Sequence, residues 1–227
     1  MSTASPHYCL IPGAGSAGLT WAEVRRELPT VLLQIPDRPS VAEMADGLEE
    51  ELRALTGPRI LVGASLGAMV ALELAHRIPI DALVLLATGF GIEVSDALLD
   101  WVERNPPDLF NKMARISVLN ADDNETIDLV VRDFESRGQP TVLHHLRALA
   151  AYRPIPLDSP PTTFVIWGMS DQSVPLEAHV ELAVKCRGAV VPMAGAKHMP
   201  FLEQPVHTAR WMTAAYELSR TTHAGGR

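Results

Sequence analysis

The chain has 227 residues, of which 47% are apolar and 20% charged, with two cysteines. That length and mix fit one globular unit with room for an insertion, and they exclude a disulfide-stapled miniprotein, a filament or wholesale disorder. Lys and Arg number 19 against 27 Asp and Glu, for a net charge of −8; without a basic cluster, no nucleic-acid partner is expected.

No basic stretch leads into an apolar core at the start, and no apolar run is long enough for a membrane span. Neither a secretory signal nor a membrane partner is therefore expected, and the cytoplasm is the expected location. Cys9 and Cys186 lie far apart and fit no metal or redox spacing, so both read as buried, inert thiols.

In chain order, β-branched runs alternate with apolar patterns of helical period. Strands are predicted at 8–11, 31–35, 59–62 and 82–87, with helices at 19–28, 41–55 and 66–77 between them. The alternation then breaks between Gly91 and about Pro161, where helical patterns at 95–103, 124–136 and 141–152 occur without a strand. It resumes with a strand at 163–167, a helix at 176–185, a strand at 189–191 and a helix at 206–218. The expectation is an α/β fold: a mostly parallel sheet of about six strands, helices on both faces, and a helical cap inserted. In residue numbers this gives a core in two parts, 1–90 and 162–220, a cap at 91–161 and a flexible tail at 221–227.

The strongest chemical signal is Gly63-Ala64-Ser65-Leu66-Gly67, which leaves an apolar strand and opens an Ala- and Leu-rich helix. A serine at such a turn is held with its hydroxyl exposed at the sheet edge, and the flanking glycines let strand and helix approach closely. A bare N-cap serine is the competing reading; a strand-to-helix turn with glycine on both sides favours a nucleophile. Its hydroxyl needs a base, and the base a carboxylate to orient it. Asp171 is the only acid in the loop after the strand at 163–167, and there an Asx-turn role competes. His198 follows the last strand, whereas none of the other seven of the 8 histidines sits just after one.

The loop from Pro12 to Gly18 carries few side chains, so the N–H of Ala14, with that of Leu66, is the candidate pair of oxyanion donors. Gly13, Gly15 and Gly18 also satisfy a dinucleotide-binding pattern. That alternative leaves Ser65, Asp171 and His198 unexplained.

From Pro12-Gly13-Ala14 to His198 and the helix beyond it, the sequence resembles the α/β-hydrolase superfamily, whose members carry these groups in the order Ser65, Asp171, His198. Pro12-Gly13-Ala14 with Gly18 and Trp21 is most similar to the branch of plant methylesterases and hydroxynitrile lyases. The family usually has His-Gly in place of Pro12-Gly13, and a glycine in place of Lys197. The sheet starts at the strand carrying the oxyanion loop, where the family has two strands more.

The resemblance implies acyl transfer through Ser65 with His198 as base, Asp171 orienting it, and no metal or cofactor. Phe90 at the cap entry and Met199 beside the base are the candidate substrate contacts, and the apolar cap predicts a small or medium apolar acyl or aryl ester as substrate. His144 and His145 point apart on a helix and read as packing rather than a metal site. A lyase or cofactor-free oxygenase using the same relay stays open, with Lys197 the only nearby cation, as do a silent ligand receptor and self-association.

Overall fold

A computed structural model describes residues 5–224, with side chains as far as Thr221. In chain order it contains β1 (His7–Ile11), a 3-10 turn (Leu19–Trp21), α1 (Ala22–Glu27), β2 (Thr30–Leu32), α2 (Val41–Ala54), β3 (Arg59–Ala64), α3 (Leu66–Ala75) and β4 (Ala82–Leu86). Helices α4 (Asp96–Arg104), α5 (Leu109–Ser117), α6 (Asn124–Glu135) and α7 (Gly138–Ala151) follow. The chain then returns through β5 (Thr162–Gly168), α8 (Leu176–Lys185), β6 (Ala189–Met193), α9 (Pro200–Glu203) and α10 (Pro205–Ala224).

The six strands form one sheet in the order β2-β1-β3-β4-β5-β6, and every neighbouring pair is parallel. Parallel strands need crossovers, and the crossovers cover both faces, so inner strands are apolar on both sides. Along β3 the side chains alternate between two cores: Ile60 and Val62 pack on one face with Trp21, Phe201 and Met212, while Leu61 packs on the other with α2 and α3. All five residues of β4 are buried, as its central place requires.

Helices α4 to α7 build a third core around Val102, Ile127, Val130 and Phe134. This layer is not a separate body. Ala148 and Leu149 of α7 belong to the core over the sheet, and Tyr152 donates a hydrogen bond to Glu73 of α3 at 2.9 Å.

Several elements depart from the sequence expectation. Helix α5 was not expected, because Asn105-Pro106-Pro107 reads as punctuation and the helix is short; yet Leu109 and Ala114 on it are buried. Helix α7 starts at Gly138 rather than at 141, since Pro140 falls in its first turn, where no N–H is required. Strand β2 stops at Leu32, well short of 35: it lies at the sheet edge and pairs with β1 alone. Pro192 sits within β6, which tolerates it as the opposite edge. Helix α10 runs to Ala224 into the segment expected to be a flexible tail, the rest of which, 225–227, lies outside the described residues. No helix among the described residues is long and apolar enough to cross a membrane.

Candidate active site

Ser65 joins β3 to α3 with φ 52° and ψ −117°, a left-handed backbone that a non-glycine residue adopts only when its surroundings impose it. The flanking glycines let β3, α3 and the end of β1 pack closely around this turn. A Cβ on Gly67 would collide with the carbonyls of Ile11 and Pro12, and one on Gly63 with the backbone of Gly67 and Ala68. Ser65 occupies the N-cap position of α3, but its side chain makes no capping bond, so the hydroxyl is not spent on the helix.

Asp171 lies in the loop after β5, its carboxylate fully shielded from solvent. Oδ1 accepts the N–H groups of Ser173 at 2.8 Å and Val174 at 3.3 Å, while Oδ2 faces His198 Nδ1 at 2.8 Å. The Asx-turn and histidine-orienting readings are therefore not alternatives: each uses a different oxygen. Burial pushes this carboxyl up, but His198 and the two N–H groups more than compensate and hold it below the usual carboxylate range. An ionised carboxylate only accepts, so Nδ1 carries a proton, and in the neutral ring that leaves the lone pair on Nε2.

The loop of His198 is fixed from the helical layer. Its N–H donates to the Ser117 carbonyl at 3.1 Å, at the end of α5. Glu203 accepts the N–H groups of Lys197 and of Leu119, bridging this loop to the segment after α5. Beneath the Asp171 loop, buried His179 donates from Nδ1 to the Pro175 carbonyl at 2.9 Å and accepts the Thr88 N–H on Nε2 at 3.2 Å. That pattern requires a neutral ring, consistent with burial lowering its pKa.

Ser65 and His198 line one cavity of about 120 Å³ together with Gly13, Ala14 and Ser16 from the loop after β1 and Thr20 from the 3-10 turn that follows it. Its apolar walls come from Met113, Phe134 and Leu146 of the helical layer and from Met199 and Phe201. Ser117, again from α5, also faces it. Among the described residues no backbone acceptor takes the N–H of Ala14 or of Leu66, and Leu66 opens α3, whose first N–H groups have no partner within the helix. Phe90, expected to touch substrate, is not at this cavity. Its ring packs against the core over the sheet, with Lys185 Nζ 5.6 Å from its centre. Lys197 does not line the cavity either.

The sequence pattern of the alpha/beta hydrolase family matches residues 10–210. The chain belongs to this family. The chain shares its fold with a thermophilic esterase at 24% identity (TM-score 0.79), over 94% of this chain and 90% of that one. A thermophilic esterase from Thermogutta terrifontis is similar at 22% identity (TM-score 0.77; 96% of this chain, 92% of that one). So is the enol-lactonase from Burkholderia xenovorans LB400 at 16% (TM-score 0.79; 93% and 91%). Among curated proteins none matches this chain in sequence.

Two residues of the site escaped sequence reading. His145, read as packing, accepts the Gly15 N–H on Nδ1 at 3.1 Å, and Asp133 of α6 gathers donors from residues 16–20. His144 instead faces Asp37 on the surface at 3.1 Å. A polar residue on a buried helix face was the available signal for both His145 and Asp133, but nothing local tells which loop it meets.

Proposed function

We propose that this hydrolase cleaves carboxylic esters with a small, uncharged acyl group by way of an acyl-enzyme on Ser65. The observation that carries the reading is the strained Ser65, sharing a cavity with an imidazole whose other nitrogen is held by buried Asp171. Ser65 Oγ attacks the ester carbonyl while His198 Nε2 accepts its proton, which then passes to the departing alcohol. Asp171 holds the ring orientation and stabilises the imidazolium. Water, deprotonated by the same nitrogen, releases the acid and restores Ser65. The N–H groups of Ala14 and Leu66 receive the oxyanion, each contributing about 3 to 4 kcal/mol to the barrier reduction.

The cavity also supports a substrate class. Its mainly apolar wall of Met113, Phe134, Leu146, Met199 and Phe201 suits a small, uncharged acyl group. Ser16 and Thr20 donate their hydroxyl protons to Asp133, and Ser117 donates to the Met113 carbonyl. These three hydroxyls thus offer no further donor, so a carboxylate-bearing acyl group finds no partner in them. Lys197, the cation next to His198 in sequence, does not line the cavity, which weighs against the lyase alternative.

Hydrolysis of p-nitrophenyl acetate, butyrate, octanoate and an anionic hemiglutarate ester by the wild type and Ser65→Ala tests this. Turnover should peak at acetate or butyrate, be weak with the anionic ester, and vanish in Ser65→Ala. Undiminished turnover in Ser65→Ala, or a peak at octanoate, contradicts the reading.

A further inference from the structure

We infer that Asp133 is a positioning residue that sets the loop carrying the Ala14 N–H; the inference rests on the oxyanion role proposed for that N–H. Asp133 sits on α6, 2% exposed. Oδ1 accepts the N–H groups of Ala17 at 2.9 Å and Leu19 at 3.1 Å. Oδ2 accepts the hydroxyls of Ser16 at 2.6 Å and Thr20 at 2.9 Å, with the Thr20 N–H at the outer limit, 3.5 Å.

No Lys, Arg or His forms an ion pair with it among the described residues. A carboxylate buried without a counter-ion is costly unless donors surround it, and here every donor comes from one short loop. The carboxylate and the loop therefore require each other. Helix formation does not need an acid at this position, since the Asp133 side chain contributes nothing to α6 itself. What it does is fix Ser16 to Thr20 against the helical layer.

The segment immediately before is held in the same way. Gly15 N–H donates to His145 Nδ1, and the Ser16 N–H closes a turn onto the Gly13 carbonyl at 3.2 Å. The Ala14 peptide thus lies between anchored neighbours on both sides. A negative charge near a developing oxyanion would oppose it electrostatically, so any benefit from Asp133 must come through geometry. Misplacing a donor by about 1 Å costs on the order of 100-fold in rate.

The test measures kcat and KM for p-nitrophenyl acetate with Asp133→Ala and Asp133→Asn, rates being normalised to phosphonate-titrated sites. Amide hydrogen exchange across residues 13–20 is followed in parallel. In Asp133→Ala, kcat should fall by about 10- to 100-fold at nearly constant KM, and the amides of Ala17, Leu19 and Thr20 should exchange faster. Asp133→Asn keeps Oδ1 for Ala17 and Leu19 and can donate from Nδ2 to the hydroxyl oxygens of Ser16 and Thr20, reversing those two bonds rather than losing them, and should recover most of both. If Asp133→Ala does not fold, Thr20→Val removes a single bond to Oδ2 and should still give a several-fold lower kcat with faster exchange at Ala17 and Leu19.

A normal kcat per site in Asp133→Ala (or in Thr20→Val where that is the variant used), unchanged exchange, or no recovery in Asp133→Asn would overturn the inference. A wild type inert to both ester and phosphonate overturns the proposed function instead, and is told apart because exchange still reports whether Asp133 orders the loop.

Discussion

Asp171 divides its oxygens between the loop it sits in and the imidazole it faces, and the consequences of altering it follow from that division. Asp171→Asn keeps the Asx turn through Oδ1 but places an amide donor against Nδ1, which favours the wrong tautomer. On the proposed mechanism, kcat should fall by about 10⁴-fold with KM little changed, as expected for losing the orienting carboxylate of a serine–histidine pair. Steady-state ester kinetics check this; a loss below tenfold would contradict the role. Gly67 is the residue-scale counterpart in stability. Because its missing Cβ leaves room for the Ile11 and Pro12 carbonyls, Gly67→Ala should lower unfolding free energy by about 1 to 3 kcal/mol, read as a shifted urea midpoint at constant slope.

Among the elements, α5 does most to separate this cavity from a bare sheet edge, supplying Met113 and Ser117 to its wall and the carbonyl that holds the His198 N–H. Shortening Met113 to alanine should admit longer chains, raising the ratio of octanoate to acetate kcat/KM by about tenfold or more. An unchanged ratio would place the acyl group elsewhere. This helix also marks the boundary of what the sequence discloses. The strands, their alternation with helices, and the places of Ser65, Asp171 and His198 were legible because each is local: a strand, then a turn or loop with one chemically apt side chain. Helix α5 was hidden by the prolines before it. Asp133, His145 and the displacement of Phe90 from the cavity depend on contacts between distant segments, Asp133 meeting Ser16 across 117 positions of sequence, and no local pattern encodes such a meeting.

For the molecule as a whole, buried histidines tie stability to pH. His145 is pushed down to about 4 by burial, with Arg137 adding to the effect, whereas the unfolded chain titrates at about 6.5. Above pH 6.5 the ring is neutral in both states and its contribution is complete. As pH falls from there toward 4, the unfolded state takes up a proton that the folded state refuses, and stability declines by up to about 3 kcal/mol. His179 and Asp171, both lowered, act in the same direction. Glu203, raised by burial, acts oppositely at the acid end. Urea midpoints should therefore drop between pH 6.5 and 4, and less steeply in His145→Gln; a flat profile in the wild type would contradict this.

The proposed chemistry depends above all on Ser65 being a nucleophile activated by His198. The most direct test is intact mass after brief exposure to a fluorophosphonate, with peptide mapping, for the wild type, Ser65→Ala and His198→Ala. A single adduct on Ser65 is expected, absent from Ser65→Ala and greatly slowed in His198→Ala. An adduct elsewhere, no adduct, or equal labelling without His198 would contradict it.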